Sequence, residues 1–416
     1  MTKDDILKTA FKVWGRDLYR TTSLTQIALE LGVSKTALYR HFHDKDALLD
    51  AMYGFFFDDS CAFIKNGYEK AINSENSEDT YLIWIRTIAE YYIRNKYALI
   101  FSLTKVYGSR DKRGLKEEFL NRGIDFGHPA FTKRHLDLYP SRIQLSMATL
   151  IFCVAQFHSH GSNGENPGKV PAGEELRCLL SGIEERITKG MGLDRRKVES
   201  LDYEALEKLA AGTVHEDTEN NALLRAVAEA VAEAGPWEAS MEMVAKRSGL
   251  SKSGLYAHFK NKQDMLNQLF ITEFTRIMNF ARAQIETTEV HEEQLYLAIF
   301  SIVNYLRSRP EIMVAINWIK TGRLDFGKDM PTCFNSIIGE IRQKVILQYD
   351  RPTLVWAAQW ILFMIVNMLV LWFFRGEGDK GCSGENITWA NIVVDVPNES
   401  FRILFRFIAL GLEGFK

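Results

Sequence analysis

Apolar residues recur along this chain at helical spacing, and strict alternation never runs long enough to mark a strand. Ile6, Leu7, Ala10, Phe11, Val13 and Trp14 predict a helix from about Lys3 to Asp17. Met1 to Asp5 opens directly into it through a capping box, with no signal peptide expected in front. Leu48, Leu49, Met52, Phe55, Phe56 and Phe63 predict a longer helix starting near Lys45 and broken at the polar stretch Asn73–Asp79. Ile83, Ile85, Ile88, Tyr91, Tyr92 and Ile93 predict the next, ending at Asn95-Lys96. Further on come a helix over Ser141–His160, a Gly/Asn/Pro loop over Gly161–Pro171 and a helix over Glu174–Lys189. The second half answers with Pro352–Phe374, a Gly-rich loop at Gly376–Gly384 and Asn398–Gly414. The expected fold class is all-α.

The pattern is written twice. Ser34-Lys35-Thr36-Ala37-Leu38-Tyr39-Arg40-His41-Phe42-His43-Asp44-Lys45 returns, without a gap, as Ser251-Lys252-Ser253-Gly254-Leu255-Tyr256-Ala257-His258-Phe259-Lys260-Asn261-Lys262. Before each copy lies a short helical pattern with a small-residue inner face, Ile27-Ala28 or Val244-Ala245, followed by Gly32 or Gly249. Helix, glycine turn and second helix make a helix-turn-helix. Ser23 and Ser240 are placed to cap the first of these helices, and Ser34 and Ser251 to cap the second. Leu38 and Phe42, like Leu255 and Phe259, are four apart and turn inward, leaving Lys35, Thr36, Tyr39 and Arg40, or Lys252, Ser253 and Tyr256, to project. From Lys246 to Lys262 there are five Lys/Arg and no Asp/Glu, so the run is locally cationic. A second echo pairs Gly123-Ile124-Asp125-Phe126-Gly127 with Arg323-Leu324-Asp325-Phe326-Gly327, at a shorter offset because residues around Val106–Glu118 have no counterpart later.

Both copies resemble the DNA-binding domain of TetR-type transcriptional regulators. Ser23, Ile27, Ala28, Gly32, Val33, Ser34, Leu38, Tyr39, His41, Phe42, Lys45 and Leu48 carry the resemblance in one copy. In the other they are Ser240, Val244, Ala245, Gly249, Leu250, Ser251, Leu255, Tyr256, His258, Phe259, Lys262 and Met265. Leu18 departs from the pattern where Gly235 keeps it. The resemblance implies two tandem repeats, each a three-helix head followed by a helical ligand-binding and dimerisation domain. It implies that Ser34, Lys35, Thr36, Tyr39, Arg40 and His41, with Ser251, Lys252, Ser253, Tyr256 and His258, face double-stranded DNA. Lys45 and Lys262 would touch phosphate. Expected boundaries are 1–50 and 220–267 for the heads, 51–192 and 268–416 for the helical domains, and 193–219 for a charged linker with a short helical pattern at Tyr203, Leu206 and Leu209. Extended, a linker of this size reaches on the order of 80 Å.

Composition changes this picture little. The chain has 416 residues, 46% hydrophobic and 25% charged, with a formal net charge of −2, so any DNA affinity must come from local patches. Five scattered cysteines without C-x-x-C spacing fit reduced cytosolic thiols better than disulfides or zinc, and a cytoplasmic place is expected. No cofactor, metal set or catalytic motif is recognisable, and an enzyme is not expected; His158 and His160, two apart, point in different directions on a helix. Thr353–Phe374 has 22 residues without a charge and meets the length rule for a membrane span. A membrane-anchored protein is therefore the alternative, although Ser141–His160, its repeat mate, is too polar to span. A second alternative is an effector-binding protein with degenerate heads.

The expected function is a ligand-responsive repressor acting as a single-chain pseudodimer, its last helices paired into a four-helix bundle that hides Trp356, Phe363, Met364, Phe405 and Leu412. The expected effector is small and apolar or aromatic. Candidate lining residues are Tyr91, Phe101, Phe126, His128 and Phe152 in one half, and Tyr305, Trp318, Phe326, Trp356 and Trp360 in the other.

Overall fold

The computed structural model describes residues 2–21, 23–75, 77–106, 115–125, 127–129, 140–160, 170–211, 219–309, 311–312, 359–369 and 396–415. Among the described residues every regular element is helical, as the apolar spacing predicts. The chain divides into two compact units: residues Met1–Asp137 with Leu150–Glu184, and Leu138–Thr149 with Glu185–Lys416.

The first unit begins with α1 (Lys3–Thr21), α2 (Leu24–Glu30) and α3 (Lys35–Tyr39). Ser23 and Gln26 form a reciprocal capping box, so two donors at the start of α2 are satisfied. Gly32 then takes φ +68°, a left-handed turn that a Cβ would strain. α4 (Lys45–Ile72) starts from an Asp44 cap, whose carboxylate accepts from Ala47 N–H at 2.7 Å. α5 (Ser77–Arg94), α6 (Lys96–Phe101), a π-turn (Ser102–Val106) and α7 (Leu115–Leu120) follow. α8 (Arg142–His160) and α9 (Gly173–Lys189) contribute their Leu150–His160 and Gly173–Glu184 parts to this unit. The expected end of α1 at Asp17 falls short by four residues, and the matching helix of the second repeat also runs past Gly235 to Glu238.

The second unit repeats the order: α12 (Glu219–Glu238), α13 (Met241–Ser248), α14 (Lys252–His258), α15 (Lys262–Ile285) and α16 (His291–Ser308). A helix α17 over 359–369 and α18 (Asn398–Leu410), ending in a 3-10 turn (Gly411–Phe415), complete it. Between the repeats lies a difference from expectation. The described part of the segment read as a linker folds as α10 (Arg195–Glu199) and α11 (Tyr203–Ala210), both packed on the second repeat. Val198, Leu206 and Ala210 are buried, and the Tyr203 ring lies 4.9 Å from that of Tyr296. Tyr203, Leu206 and Ala210 sit three to four apart, and with Val198 on the preceding turn of helix they give the strap an inner face. Residues 212–218 lie outside the description.

One carboxylate gathers three of the strap's polar contacts. Glu207 on α11 accepts from Tyr296 Oη (2.7 Å), Arg402 Nε (2.8 Å) and Asn398 Nδ2 (2.8 Å). Burial alone would raise its pKa, but those hydrogen bonds and the Arg402 charge outweigh it and hold the carboxyl below its ordinary 4.5.

Within the second unit, the ends of α8 and α9 meet α17 and α18. Trp360 Nε1 donates to Thr149 Oγ1 (3.2 Å), and that hydroxyl in turn lies 3.5 Å from Met364 Sδ. The Arg142 guanidinium stacks on the Phe415 ring at 4.9 Å. Gly190 and Gly411, both left-handed, bring two backbones together: a Cβ on Gly190 would stand 2.5 Å from Gly411 N. Met191 N–H donates to Ile408 O (2.8 Å) and Leu193 N–H to Ala409 O (3.1 Å) across the same crossing.

Among the described residues no helix is long and apolar enough to cross a membrane. Of the Thr353–Phe374 stretch only 359–369 is described, and Trp360, Met364, Ile365 and Val366 there are buried in the protein. Cys61, Cys153 and Cys178 are free thiols, and burial pushes Cys61 up to about 11.

Candidate functional site

Each head builds the same short platform. In the first, Ser34 Oγ accepts from Ala37 N–H at 3.2 Å and Leu38 is fully buried, which fixes which face of α3 turns outward. Lys35, Thr36, Tyr39, Arg40 and His41 are exposed, Tyr39 at 42%. Lys35 Nζ stands 5.5 Å from the Tyr39 ring centroid, so the cation and the phenol share one patch. In the second, Ser251 Oγ accepts from Gly254 N–H at 3.0 Å and Leu255 is buried, leaving Lys252, Ser253, Tyr256 (48%) and His258 exposed. Two tyrosines at the same place in two heads, each beside a lysine, have the chemistry of a groove reader: donors for base edges and phosphate, with flat apolar surface.

Lys45 and Lys262 are half-buried at the first positions of α4 and α15. Burial lowers the Lys45 pKa, with Asp46 opposing. Gly32 and Gly249 take φ +68° and +71°, so the turns before both exposed helices share one conformation, as the sequence predicts. The helices themselves differ, α3 ending at Tyr39 while α14 continues to His258.

The residues picked as a ligand lining do not converge in the described structure. Phe101 is fully buried in a ring cluster with Phe11 (4.8 Å), Tyr53 (5.2 Å), Phe56 (5.8 Å) and Trp14 (5.9 Å). Tyr91 is buried, donates to Asp59 Oδ2 at 2.9 Å, and is driven far above its ordinary pKa by burial and that charge. Phe152 is buried and His128 is half-buried in the loop after α7. Tyr305 donates to Glu273 Oε2 (2.6 Å), and Trp360 is the partner of Thr149. Phe126, Trp318, Phe326 and Trp356 lie outside the described residues. His158 Nε2 is bonded to Tyr92 O at 2.9 Å, and burial lowers its pKa.

Glu273 was not singled out from sequence. It is 1% exposed, bonded to Tyr305, to Arg276 Nη1 (2.8 Å) and to Arg309 Nη2 (3.4 Å). The signal was in the repeat itself: Phe56 occupies the matching position of the first copy.

Comparison with known proteins agrees with the two platforms. The family described as bacterial regulatory proteins, tetR family, matches twice, over residues 6–52 and 223–269. A curated relative, the uncharacterized HTH-type transcriptional regulator YuxN of Bacillus subtilis (strain 168), is 38% identical over 61 residues, 15% of this chain and 21% of that protein. The match therefore spans about a fifth of the relative's length. Two solved structures align along 97% and 98% of their own length and 47% and 45% of this chain. They are the TetR family transcriptional regulator PfmR from Thermus thermophilus (18% identity, TM-score 0.32) and the fatty acid degradation regulator FadR from Bacillus halodurans (16%, 0.30). Likenesses at that score carry no argument about ligand or assembly. With the helix-turn-helix geometry formed in both halves, each half carries a head that matches the tetR family of bacterial regulatory proteins.

Proposed function

We propose that this chain is a DNA-binding transcriptional regulator, a ligand-responsive repressor that places two heads on one operator as a single-chain pseudodimer. The observation that carries the reading is the pair of matching platforms, Lys35/Tyr39/His41 and Lys252/Tyr256/His258, each exposed behind the same left-handed glycine turn. Two heads engage successive major grooves when they stand about one DNA turn apart, and a ligand that prefers another separation releases the DNA. The contacts of Thr149 with Trp360 and of Gly190 with Gly411 support the pairing of terminal helices from both repeats within one chain. Effector binding is assigned to the helical domains around Tyr91, Phe101, Phe152 and Tyr305.

Selection of bound duplex from a random pool, followed by gel shift, tests the reading. A sequence bound by the full chain, and lost on combining Lys35→Ala, Tyr39→Ala, Lys252→Ala and Tyr256→Ala, is the expected result. Failure of the full chain to enrich any duplex removes it. Sedimentation at micromolar protein tests the pseudodimer: the expected species has the chain mass, 47.7 kDa, and a stable species of twice that mass overturns it.

A further inference from the structure

We propose that the two heads read unlike half-sites in a fixed order, with Arg40 of the first head selecting a guanine for which the second head, having Ala257 there, has no reader. This rests on the operator-binding reading above and adds to it an orientation: the chain would distinguish the two ends of its site.

What the heads share sets a common docking frame. The cap serines, the lysine after each and the tyrosine and histidine on the outer face are the same in both. What differs lies on the same exposed surface. Arg40 is exposed at the end of α3, and its fork of N–H donors matches the O6 and N7 acceptors on the major-groove edge of guanine. Ala257 is equally exposed and offers only a methyl group, which suits contact with a thymine methyl. Thr36 presents a methyl and a hydroxyl, whereas the Ser253 hydroxyl lies 3.1 Å from Ser251 Oγ, so part of its hydrogen-bonding capacity is used inside the turn.

Charge separates the heads as well. Ser34 to Asp50 holds three Lys/Arg and three carboxylates, Asp44, Asp46 and Asp50. Ser251 to Asn267 also holds three Lys/Arg but a single carboxylate, Asp264, which accepts from Lys260 N–H (2.8 Å) and Gln268 Nε2 (3.1 Å). Where the first head has His43, paired with Asp44 at 3.1 Å, the second has the exposed Lys260. The second head therefore supplies more of the sequence-independent attraction to phosphate, and the first depends more on its base contacts. Identical heads select palindromes; heads that differ in this way select a site with two ends.

The experiment is selection of duplex DNA by the full chain and by Arg40→Ala, followed by titration of the best site and of the two palindromes made by doubling each of its halves. The expected result is a site with unlike halves, each doubled palindrome binding at least about fivefold more weakly. Arg40→Ala is expected to erase a guanine preference from one half and leave the other intact. Lys260→Ala is expected to lower the salt dependence of binding by about one phosphate contact without altering the preferred bases. Both substituted side chains, Arg40 and Lys260, are exposed, so the fold survives, and helical circular dichroism checks this. A perfect palindrome as the best site, or a selected sequence unchanged by Arg40→Ala, overturns the proposal while leaving DNA binding in place. Failure of the folded wild-type chain to retain any duplex overturns both readings.

Discussion

The same helix of the repeat is treated differently in the two halves. In the first, α5 keeps a partly solvated face: Tyr81, Leu82 and Ile83 are half-buried and Arg86 is exposed. In the second, α16 is buried almost throughout, even at Glu292, Gln294 and Ser301. One device explains the contrast, and a second difference lies beneath it. α11 lies on α16 and removes its outer face from water. On the inner side, α5 approaches α4 closely where Gly67 meets Thr87, while Gln284 stands at the place of Gly67 in the second repeat. A duplicated chain has a single connection between its copies, and here that connection has become part of one copy. The lesson is that a repeat can be equal in pattern and unequal in what stabilises it.

The contrast can be broken most directly at Leu206, a strap residue with no counterpart over α5 among the described residues. Leu206→Ala should destabilise the second repeat by about 2–5 kcal/mol, and hydrogen exchange should rise over α16 and remain unchanged over α5. Gly67→Ala tests the other side. Its Cβ would meet Thr87 Cγ2 at 2.5 Å, and overpacking of this kind costs about 1–3 kcal/mol, read as faster exchange confined to α4 and α5.

Glu207→Gln keeps the shape and removes the charge, with an expected loss of about 1–2 kcal/mol in chemical denaturation. The sign with pH follows from the depressed carboxyl. The Glu207 contribution is complete above the ordinary value of 4.5 and is lost as pH falls from there through the folded value. The wild-type chain should therefore lose stability relative to Glu207→Gln as pH falls below 4.5, and parallel pH profiles would refute the clip. Arg86→Ala, which removes the 2.8 Å ion pair with Glu184 on the open side of the first unit, should cost under about 1 kcal/mol. A larger loss would mean that α5 is not the solvated helix of the pair.

Much of the fold was legible because local chemistry determines it. Ser23, Ser34, Ser240 and Ser251 cap as their positions require, and Gly32 and Gly249 turn left-handed as their spacing demands. The strap was legible only in part, as the short helical pattern of Tyr203, Leu206 and Leu209 inside a charged segment. Its inner face amounts to Val198, Tyr203, Leu206 and Ala210; Leu209, which the pattern would also turn inward, is 48% exposed. Glu207 looks like any surface charge until Tyr296 and Arg402, 89 and 195 residues away, come into place. Aromatic lining residues were the least legible. Phe101 has the same apolar character whether it faces a ligand or packs between Phe11 and Phe56, and periodicity carries no information about which. The residues proposed as readers are legible as exposed positions, and their different chemistry at Arg40 and Ala257 is visible only once the copies are set side by side.

The crossing of Gly190 and Gly411 has a mechanical consequence. Because main chain meets main chain there, no rotamer can lengthen or shorten the contact, and the hydrogen bonds from Met191 and Leu193 tie both sides of it to Ile408 and Ala409. Sliding either helix along its axis would break both bonds, whereas a small twist about the crossing bends them without breaking them. The joint is a pin, not a slot: the motion it admits is angular, and its amplitude grows with distance from the pin.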